Sequence, residues 1–377
     1  MKHSYSTLFA IVTLLSISSG QANEFWPEIR GPETNGHASE SKPPTTWSRS
    51  ENIRWKERVD GKAWSTPIVV GDRIFISTAV ESRGDISLRG MALDLKDGSV
   101  IWDTEIREVD AVRIHKKNSH ASPSPIFVDG RVYFHFGHHG TACLGADDGA
   151  VVWNQTDLEY SPVHGNGGSP IIEGDHLIYS ADGAQDPVVI ALDIRTGTVA
   201  WTTPRNIDVD RTFSFSTPTA IEVAGETQVV LPGSGAIFAY DPKSGRELWR
   251  FRYGQGYSVT PRPLFYDGLL YASSGFDRAK LLAVRVDGSG DVTDTHLVWE
   301  ATRAIPRESS FVAVDGLLYV NDDRGILSCF DAKTGEVHYQ ERMDSAGGYS
   351  SSPVYAGGHL YFHNGDGITT VVKPGTD

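Results

Sequence analysis

Aromatic, cationic and imidazole side chains recur in the segments that precede the chain's β-rich runs. If these segments meet at one place, they form a funnel suited to an anionic or hydroxyl-rich ligand, because ligand sites are concave and carry a few convergent polar groups. Ordered polar side chains and water can also fill such a place without binding anything. The candidate ligand-binding residues are Trp64, His120, His164, Asn166, Arg211, Phe215, Tyr257, Arg262, Arg307, Glu308 and Tyr349.

Histidines concentrate in one part of the chain, and imidazole is a common metal ligand. However, His138 and His139 are adjacent in a strand-linking turn, where we expect neighbouring side chains to point apart. No spacing recurs that would assemble three ligands, so the sequence predicts no metal site here. The histidines concerned are His115, His120, His135, His138, His139 and His164.

An acidic segment places oxygen ligands at alternating positions, Asp287, Ser289 and Asp291, as at the start of a calcium loop. Val292 stands where such a loop needs its glycine, and Val298 where it needs a bidentate glutamate. These three residues are therefore weak metal candidates, and a longer polar hairpin is the preferred interpretation.

These residues must be positioned by a repeat of about 40 to 50 residues, the period of a four-stranded propeller blade. Each copy resembles the segment 92–102, in which a strand ends at an aspartate, a glycine turns the chain and an aromatic residue follows four positions later. The large ring suits the space between stacked sheets. The structural residues of the repeat are Gly98, Gly149, Gly197, Gly245 and Gly335 with Trp102, Trp153, Trp201, Trp249 and Trp299.

A second signature precedes each copy, as in segments 67–76 and 125–134, where two β-rich runs flank a Gly-Asp or Asp-Gly turn. This pattern is typical of a β-hairpin. Two hairpins per repeat make a four-stranded antiparallel sheet, and a closed ring of such sheets buries both faces of each. The sequence therefore predicts an all-β fold, a β-propeller of four-stranded antiparallel blades.

The chain begins with a predicted signal peptide, residues 1–22, because an apolar stretch from Leu8 to Ile17 follows Lys2 and small residues lie near a cleavage site at Ala22. Residues 23–52 are assigned to an N-terminal arm and 53–377 to the propeller. No later apolar run is long enough to span a membrane. We expect a periplasmic or secreted protein.

The 377 residues carry a formal net charge of −14, with acidic residues spread along the chain. This charge argues against nucleic acid or an anionic membrane as the main partner. Cys143 and Cys329 occupy the same repeat position in non-adjacent blades, too far apart for a disulfide. We predict two free, buried thiols.

The Ala-x-Asp-x-x-x-Gly-x-x-x-Trp repeat resembles the tryptophan-docking repeat of quinoprotein alcohol dehydrogenases, which use pyrroloquinoline quinone (PQQ), and of related PQQ-like propellers. The opening segment 26–32, Trp-Pro-Glu-Ile-Arg-Gly-Pro, resembles the start of exported bacterial PQQ-like proteins, as do 52–56, 214–218 and 256–263. The resemblance implies the propeller fold. The group includes catalytic dehydrogenases and scaffolds of the BamB type.

The resemblance implies eight blades, whereas the repeat count favours seven. The last repeat ends after a third strand at 369–372, so either a terminal blade is missing or residues 53–57 supply the missing outer strand and close the ring. The second alternative pairs an otherwise open sheet edge.

Two functions remain open. The preferred one is an exported, non-catalytic propeller that binds an envelope protein or polysaccharide through the funnel. The alternative is a PQQ-dependent dehydrogenase, or a sugar-acting enzyme, that uses the funnel residues. Quinoprotein dehydrogenases commonly carry a disulfide between neighbouring cysteines, which this chain lacks. We therefore expect no cofactor, with PQQ and calcium as the alternative.

Overall fold

The structure is a computed structural model that describes residues 25–38, 40–158, 160–344 and 347–377. The predicted signal peptide, residues 1–22, lies outside the described residues. The described chain forms 30 β-strands and one 3-10 helix, Gly137–His139, arranged in seven sheets. The prediction of an all-β propeller with antiparallel blades is confirmed.

We number the sheets as blades 1 to 7 in chain order, and we number the strands from β1 to β30. Two short strands of the N-terminal segment are β1 (Phe25–Trp26) and β2 (His37–Ala38). Blades 1 to 3 contain β3 (Ile68–Val70), β4 (Arg73–Ser82), β5 (Asp85–Asp94), β6 (Val100–Asp110), β7 (Ile126–Val128), β8 (Arg131–His135), β9 (Thr141–Gly145), β10 (Val151–Gln155), β11 (Ile171–Glu173), β12 (His176–Ala181), β13 (Val188–Asp193) and β14 (Val199–Pro204). Blades 4 and 5 contain β15 (Thr219–Val223), β16 (Glu226–Gly233), β17 (Ala236–Tyr240), β18 (Glu247–Arg252), β19 (Leu264–Tyr266), β20 (Leu269–Ser273), β21 (Leu281–Arg285), β22 (Gly290–Asp291) and β23 (Leu297–Ala301). Blades 6 and 7 contain β24 (Val312–Val314), β25 (Leu317–Asn321), β26 (Ile326–Asp331), β27 (Val337–Arg342), β28 (Val354–Ala356), β29 (His359–His363) and β30 (Thr369–Val372).

Within each blade the consecutive hairpin strands pair antiparallel, as β7 to β10 do in blade 2. The short added strands β22 and β2 pair in parallel, with β18 and β28. The first hairpin of blade 2 shows why this follows from the sequence. Asp129 and Gly130 both have positive φ, 48° and 75°, as a two-residue hairpin turn requires. We call the segment between the last strand of one blade and the first strand of the next an axial loop.

The repeat tryptophans join consecutive blades. Trp102 donates its Nε1 hydrogen to the carbonyl of Ala146 in blade 2, at 3.0 Å. Its ring covers Gly149, where an added Cβ would lie 2.6 Å from the indole. The same contact recurs in three further pairs, Trp153 with Ile194, Trp201 with Pro242, and Trp299 with Ala332.

Trp249 is the exception, since it bonds to Gln228 of its own blade. Blade 5 carries the 287–294 insertion where the other blades have the short glycine turn, and β22 of this insertion pairs with β18 of blade 4. Asp291 faces Arg252, Nε to Oδ2 2.8 Å, whereas Ser289 is exposed. The insertion therefore covers an outer sheet edge and fully buries Trp249.

Six clusters of buried apolar side chains each lie between two consecutive blades, from the pair 1 and 2 to the pair 6 and 7. None of the clusters in the described residues lies between blades 7 and 1. Cys143 and Cys329 are free and buried, in the clusters of blades 2 and 3 and of blades 6 and 7. The predicted free thiols are confirmed.

The N-terminal segment meets blade 7 in a different way from the one predicted. Residues 53–57 form no strand, and β2 instead pairs with β28 at the inner edge of blade 7. Trp55 nevertheless behaves as a repeat tryptophan, because it donates to the carbonyl of Leu95 in blade 1 at 3.0 Å and lies over Gly98. The segment thus supplies the docking ring without a hydrogen-bonded outer strand.

Candidate functional site

A ladder of hydroxyl groups fixes the axial loops. Ser124 accepts a hydrogen bond from the backbone N–H of Thr66, Ser169 from that of Ser124, and Thr217 from that of Ser169. The ladder continues through Ser310 and Ser352 in blades 6 and 7. Each of these hydroxyls accepts a hydrogen bond from the backbone of the preceding blade, so the ends of these axial loops are tied to one another.

Arg262 takes the place of a hydroxyl in this ladder, and its side chain enters the channel. Its exposed fraction is 3%, and its Nε donates to the carbonyl of Pro218 at 2.9 Å. Its guanidinium also pairs with Glu28 at 2.5 Å. Arg262 is therefore committed to the N-terminal segment and is not free for a ligand in the funnel.

Rings line the channel mouth on one side. His164, Phe213, Tyr257 and Phe276 contact one another in sequence, with centroids 5.2, 5.4 and 6.3 Å apart. Phe215 joins them beside His164, at 6.2 Å. We call these five residues the aromatic belt. Burial lowers the pKa of His164, so its ring is neutral at neutral pH.

Two guanidinium groups stack on the aromatic belt. The Arg211 guanidinium lies 4.3 Å from the centroid of the Tyr257 ring, and that of Arg307 lies 4.9 Å from the centroid of Phe276. Arg307 also pairs with Asp323, Nε to Oδ2 2.6 Å. Arg211 is exposed, whereas Tyr257 and Arg307 are half-buried. The half-buried rings of Tyr257 and Phe276 thus each carry a stacked cation, whereas Phe213 is buried.

The axial loop between blades 1 and 2 crosses the mouth. Lys117, in this loop, pairs with Glu308 before blade 6, Nζ to Oε1 2.6 Å. His115 donates its backbone N–H to the carbonyl of His164, and the two imidazole rings lie 5.2 Å apart. Because this loop contacts both the residue His164, before blade 3, and the residue Glu308, before blade 6, it must lie over the channel.

The histidines of blade 2 contradict the expectation that His138 and His139 point apart. Their ring centroids are 3.8 Å apart, because the two residues lie in the 3-10 helix Gly137–His139, not in an extended strand. His139 Nε2 also lies 3.1 Å from His120 Nδ1. Burial lowers the pKa of all three imidazoles, that of His139 to about 3, with His138, His120 and Arg107 adding repulsion.

Among the residues that the structure describes, no group of three His, Cys, Asp or Glu side chains could hold a metal ion. His135 is separate from the trio; its Nδ1 bonds Thr141 Oγ1 at 2.8 Å, and both residues are buried beyond reach of a substrate.

A small enclosed cavity lies beneath the aromatic belt, lined among others by Tyr160, Asn166 and Asp182. Asn166 donates to the carbonyl of Phe136 and accepts from the Tyr160 hydroxyl at 2.8 Å. Asp182 pairs with Arg205 at 2.8 Å, and neither side chain is exposed by more than 1%. The Asp182 and Arg205 groups lie within ion-pair distance, but both Asp182 carboxylate oxygens lack a hydrogen-bond partner among the described residues. Asn166, through its two hydrogen bonds, positions the loop that carries His164.

The structure does not bring all the predicted residues together. His164, Arg211, Phe215, Tyr257, Arg307 and Glu308 meet at the mouth, whereas His120 and Asn166 lie in the layer below. Trp64 is 50% exposed, and Tyr349 is 1% exposed in the apolar cluster between blades 6 and 7.

Glu28 and Phe276 also belong to the site, although neither was predicted from the sequence. Phe276 follows a glycine in the strand-linking segment of blade 5, where no repeat pattern marks it. Glu28 did carry a signal, since it is the one acidic residue of the Trp-Pro-Glu-Ile-Arg-Gly-Pro segment.

The residues offered for PQQ do not fit that cofactor. A flat tricarboxylate quinone needs a stacking floor, free cations for its carboxylates and oxygen ligands for a divalent ion. Arg262 is paired with Glu28 and Arg307 with Asp323, and the described chain holds no cluster of three metal-ligating side chains. We derive no chemistry through PQQ.

The fold and its mouth define a PQQ-like repeat propeller. The family model described as outer membrane protein assembly factor BamB matches residues 45–160, 91–295 and 289–374. The chain therefore belongs to this family.

The chain is 25% identical to BamB of Yersinia pestis over 279 residues, which are 71% of this chain and 63% of that protein. It thus spans less than two thirds of that relative's length. BamB from Moraxella catarrhalis superimposes with a TM-score of 0.59 at 17% identity, covering 85% of this chain and 86% of that one. A europium-containing methanol dehydrogenase superimposes with a TM-score of 0.50 at 13% identity, covering 93% and 89%. At these identities the two structural similarities show the fold alone.

Among the described residues, no helix is long and apolar enough to cross a membrane.

Proposed function

We propose that this protein is an exported, non-catalytic propeller that binds a protein partner of the bacterial envelope at the channel mouth. The observation that carries the proposal is the aromatic belt with Arg211 and Arg307 stacked on it. Tyrosine, tryptophan and arginine dominate the binding energy of protein interfaces, because they combine large contact area with directed hydrogen bonds. Membership of the BamB family, named for outer membrane protein assembly, supports a protein partner.

The titratable groups of the mouth support a binding role over a catalytic one. Glu308 is paired with Lys117 and Asp323 with Arg307. A general base or nucleophile must reach a substrate, with a pKa matched to its task. Glu308 and Asp323 are thus engaged in ion pairs that fix the loops, whereas the exposed Asp277 accepts a hydrogen bond from the Tyr257 hydroxyl at 3.4 Å.

Site-specific photo-crosslinking tests the proposal. A photoreactive phenylalanine analogue replaces Tyr257 at the mouth, and in a matched control it replaces Tyr266, at the other end of the first strand of the same blade. In native envelopes we expect the Tyr257 position to form a discrete protein adduct and the Tyr266 position to form none. The Arg211→Ala substitution should reduce the yield of that adduct severalfold.

Two results would contradict the proposed function. One is a protein adduct from the Tyr266 position alone, which would place the partner at the opposite end. The other is an adduct from Tyr257 that contains only polysaccharide, which would replace the protein partner by an envelope polymer.

A further inference from the structure

The junction between blades 7 and 1 is built differently from the other six. Each of the other junctions holds a cluster of buried apolar side chains, and in the described residues this one does not. Besides Trp55, which docks on blade 1, residues 25–38 join the two blades, and we call these residues the channel arm. Its first strand, β1, pairs antiparallel with β3 of blade 1, and its last strand, β2, pairs parallel with β28 of blade 7.

The channel arm enters and leaves the channel at the same end. Phe25 lies opposite Val70, next to the first turn of blade 1, and Ala38 lies opposite Ala356, next to the corresponding turn of blade 7. Between them the chain rises to the level of the axial loops, where Glu28 meets Arg262. The arm is therefore a loop inserted into the channel.

Arg30 is the main anchor of this loop. Its guanidinium is buried, with 4% of the residue exposed. It donates to the carbonyl of Pro353 at 2.6 Å and to that of Phe311 at 2.8 Å, at the start of blades 7 and 6. A third donation, at 3.2 Å, goes to the carbonyl of Asn35 within the arm. Charge-assisted hydrogen bonds of this kind are stronger than neutral ones.

The turns of the arm explain its glycines. Gly31 has a φ of +79°, and an added Cβ would lie 2.8 Å from the Trp26 ring. Gly36 has a φ of +83°, and a Cβ there would strike the Arg30 guanidinium. Glycine alone adopts this backbone readily and leaves room for the two side chains. The residues of the 26–32 motif thus fit one bound conformation.

Other blades also hold the arm through backbone groups. Phe127 of blade 2 donates its N–H to the carbonyl of Pro27 at 3.0 Å, and His37 Nε2 lies 2.8 Å from the carbonyl of Ala313 in blade 6. Strand addition to a sheet edge, which occurs here at both ends of the arm, is a common way for a protein to bind a peptide. The anchored arginine and the paired glutamate fix the turned segment between the two strands.

We propose that the channel is a peptide-binding site whose ligand is the chain's own residues 25–38, and that this bound arm holds blade 7 to blade 1. The ligand class is a peptide that pairs as a short strand at each end, turns at Gly31 and Gly36, and carries a glutamate two residues before an arginine. The site lies inside the ring and is separate from the partner surface at the mouth.

Cutting the connection between the arm and the ring tests this proposal on the whole protein. A specific protease site is inserted between Pro44 and Thr45, in an exposed stretch. After folding and cleavage, native mass spectrometry measures whether the N-terminal fragment stays bound. We expect the fragment to remain with the ring, without covalent connection. Loss of the fragment from a ring of unchanged thermal midpoint would overturn the proposal.

Displacement by added peptide then tests the anchor without any variant that must fold. The cleaved protein is incubated with an excess of a synthetic peptide of residues 25–44, of the same peptide with Arg30→Ala, or of a control with Glu33→Ala at an exposed position. The first and third peptides should displace the fragment, and the Arg30→Ala peptide should do so at least tenfold less. Displacement by all three, or by none, would overturn the proposed site.

Discussion

His135 gives the sharpest prediction of pH-dependent stability. Burial lowers its pKa from 6.5 to about 3 in the folded protein, with a smaller contribution from His138. The ring is 2% exposed, bonds Thr141 Oγ1 at 2.8 Å and lies against Tyr179 with centroids 4.4 Å apart. Folding therefore requires a neutral imidazole at this position.

The sign and size follow from proton linkage. Because the folded pKa is the lower one, the unfolded chain takes up the proton first as the pH falls, so stability is fully present above about pH 6.5 and is lost towards pH 3. A pH of about 4.5 lies roughly 2 units below the pKa of this histidine in the unfolded chain. Protonation of the unfolded state there lowers the free energy of unfolding by about 2.5 kcal/mol.

Urea unfolding, followed by tryptophan fluorescence at neutral pH and at about pH 4.5, measures this effect. The His135→Gln variant keeps a polar partner for Thr141 but cannot take up the proton. It should lose about 2.5 kcal/mol less than the wild type between the two pH values, whatever its own stability at neutral pH. His338→Gln, on an exposed outer strand, is the control and should lose as much as the wild type. Equal losses in the His135→Gln variant and the wild type would refute the reasoning.

Three further outcomes are expected. Gly149→Ala should lower the free energy of unfolding by about 1–3 kcal/mol, because the new Cβ meets the Trp102 ring at 2.6 Å and φ is +68°. Urea unfolding measures this change. The control Gly174→Ala, at φ +57° with open space around the Cβ, should cost about 1 kcal/mol. A thiol reagent should find two groups per chain, Cys143 and Cys329, only after denaturation, and reaction of either in the native protein would place it outside the core. Incubation with PQQ and calcium should give no dye-linked alcohol or sugar oxidation, and turnover that requires both additions would restore the dehydrogenase hypothesis.

The blades were predictable because each consists of local hairpins, and the turn-forming residues of these hairpins can be recognised in the sequence. The exception at Trp249 was not predictable. A distant insertion, 287–294, replaces the glycine turn of the next blade, and Trp249 therefore donates its hydrogen bond to Gln228 of its own blade. The predicted pairing of residues 53–57 followed from the open edge of the last sheet. The open outer edge gave no indication that β2 would pair with the inner edge of the sheet instead.

The candidate site was predictable only where position in the repeat decides it. The axial loops did bring Arg211, Tyr257 and Arg307 to one mouth. Arg262 looked like one more cation of that funnel, but its partner, Glu28, is 234 residues away in the chain. Pairing over such a distance leaves no periodic signal, so composition and spacing could not reveal it.

The contacts of Arg30 impose an order on folding. The carbonyls that receive its hydrogen bonds belong to residues 281 and 323 positions later in the chain. Loop closure over such separations is slow, and it cannot occur before the last two blades exist. Residues 25–38 are therefore among the last to reach their native place, after most of the blades have formed.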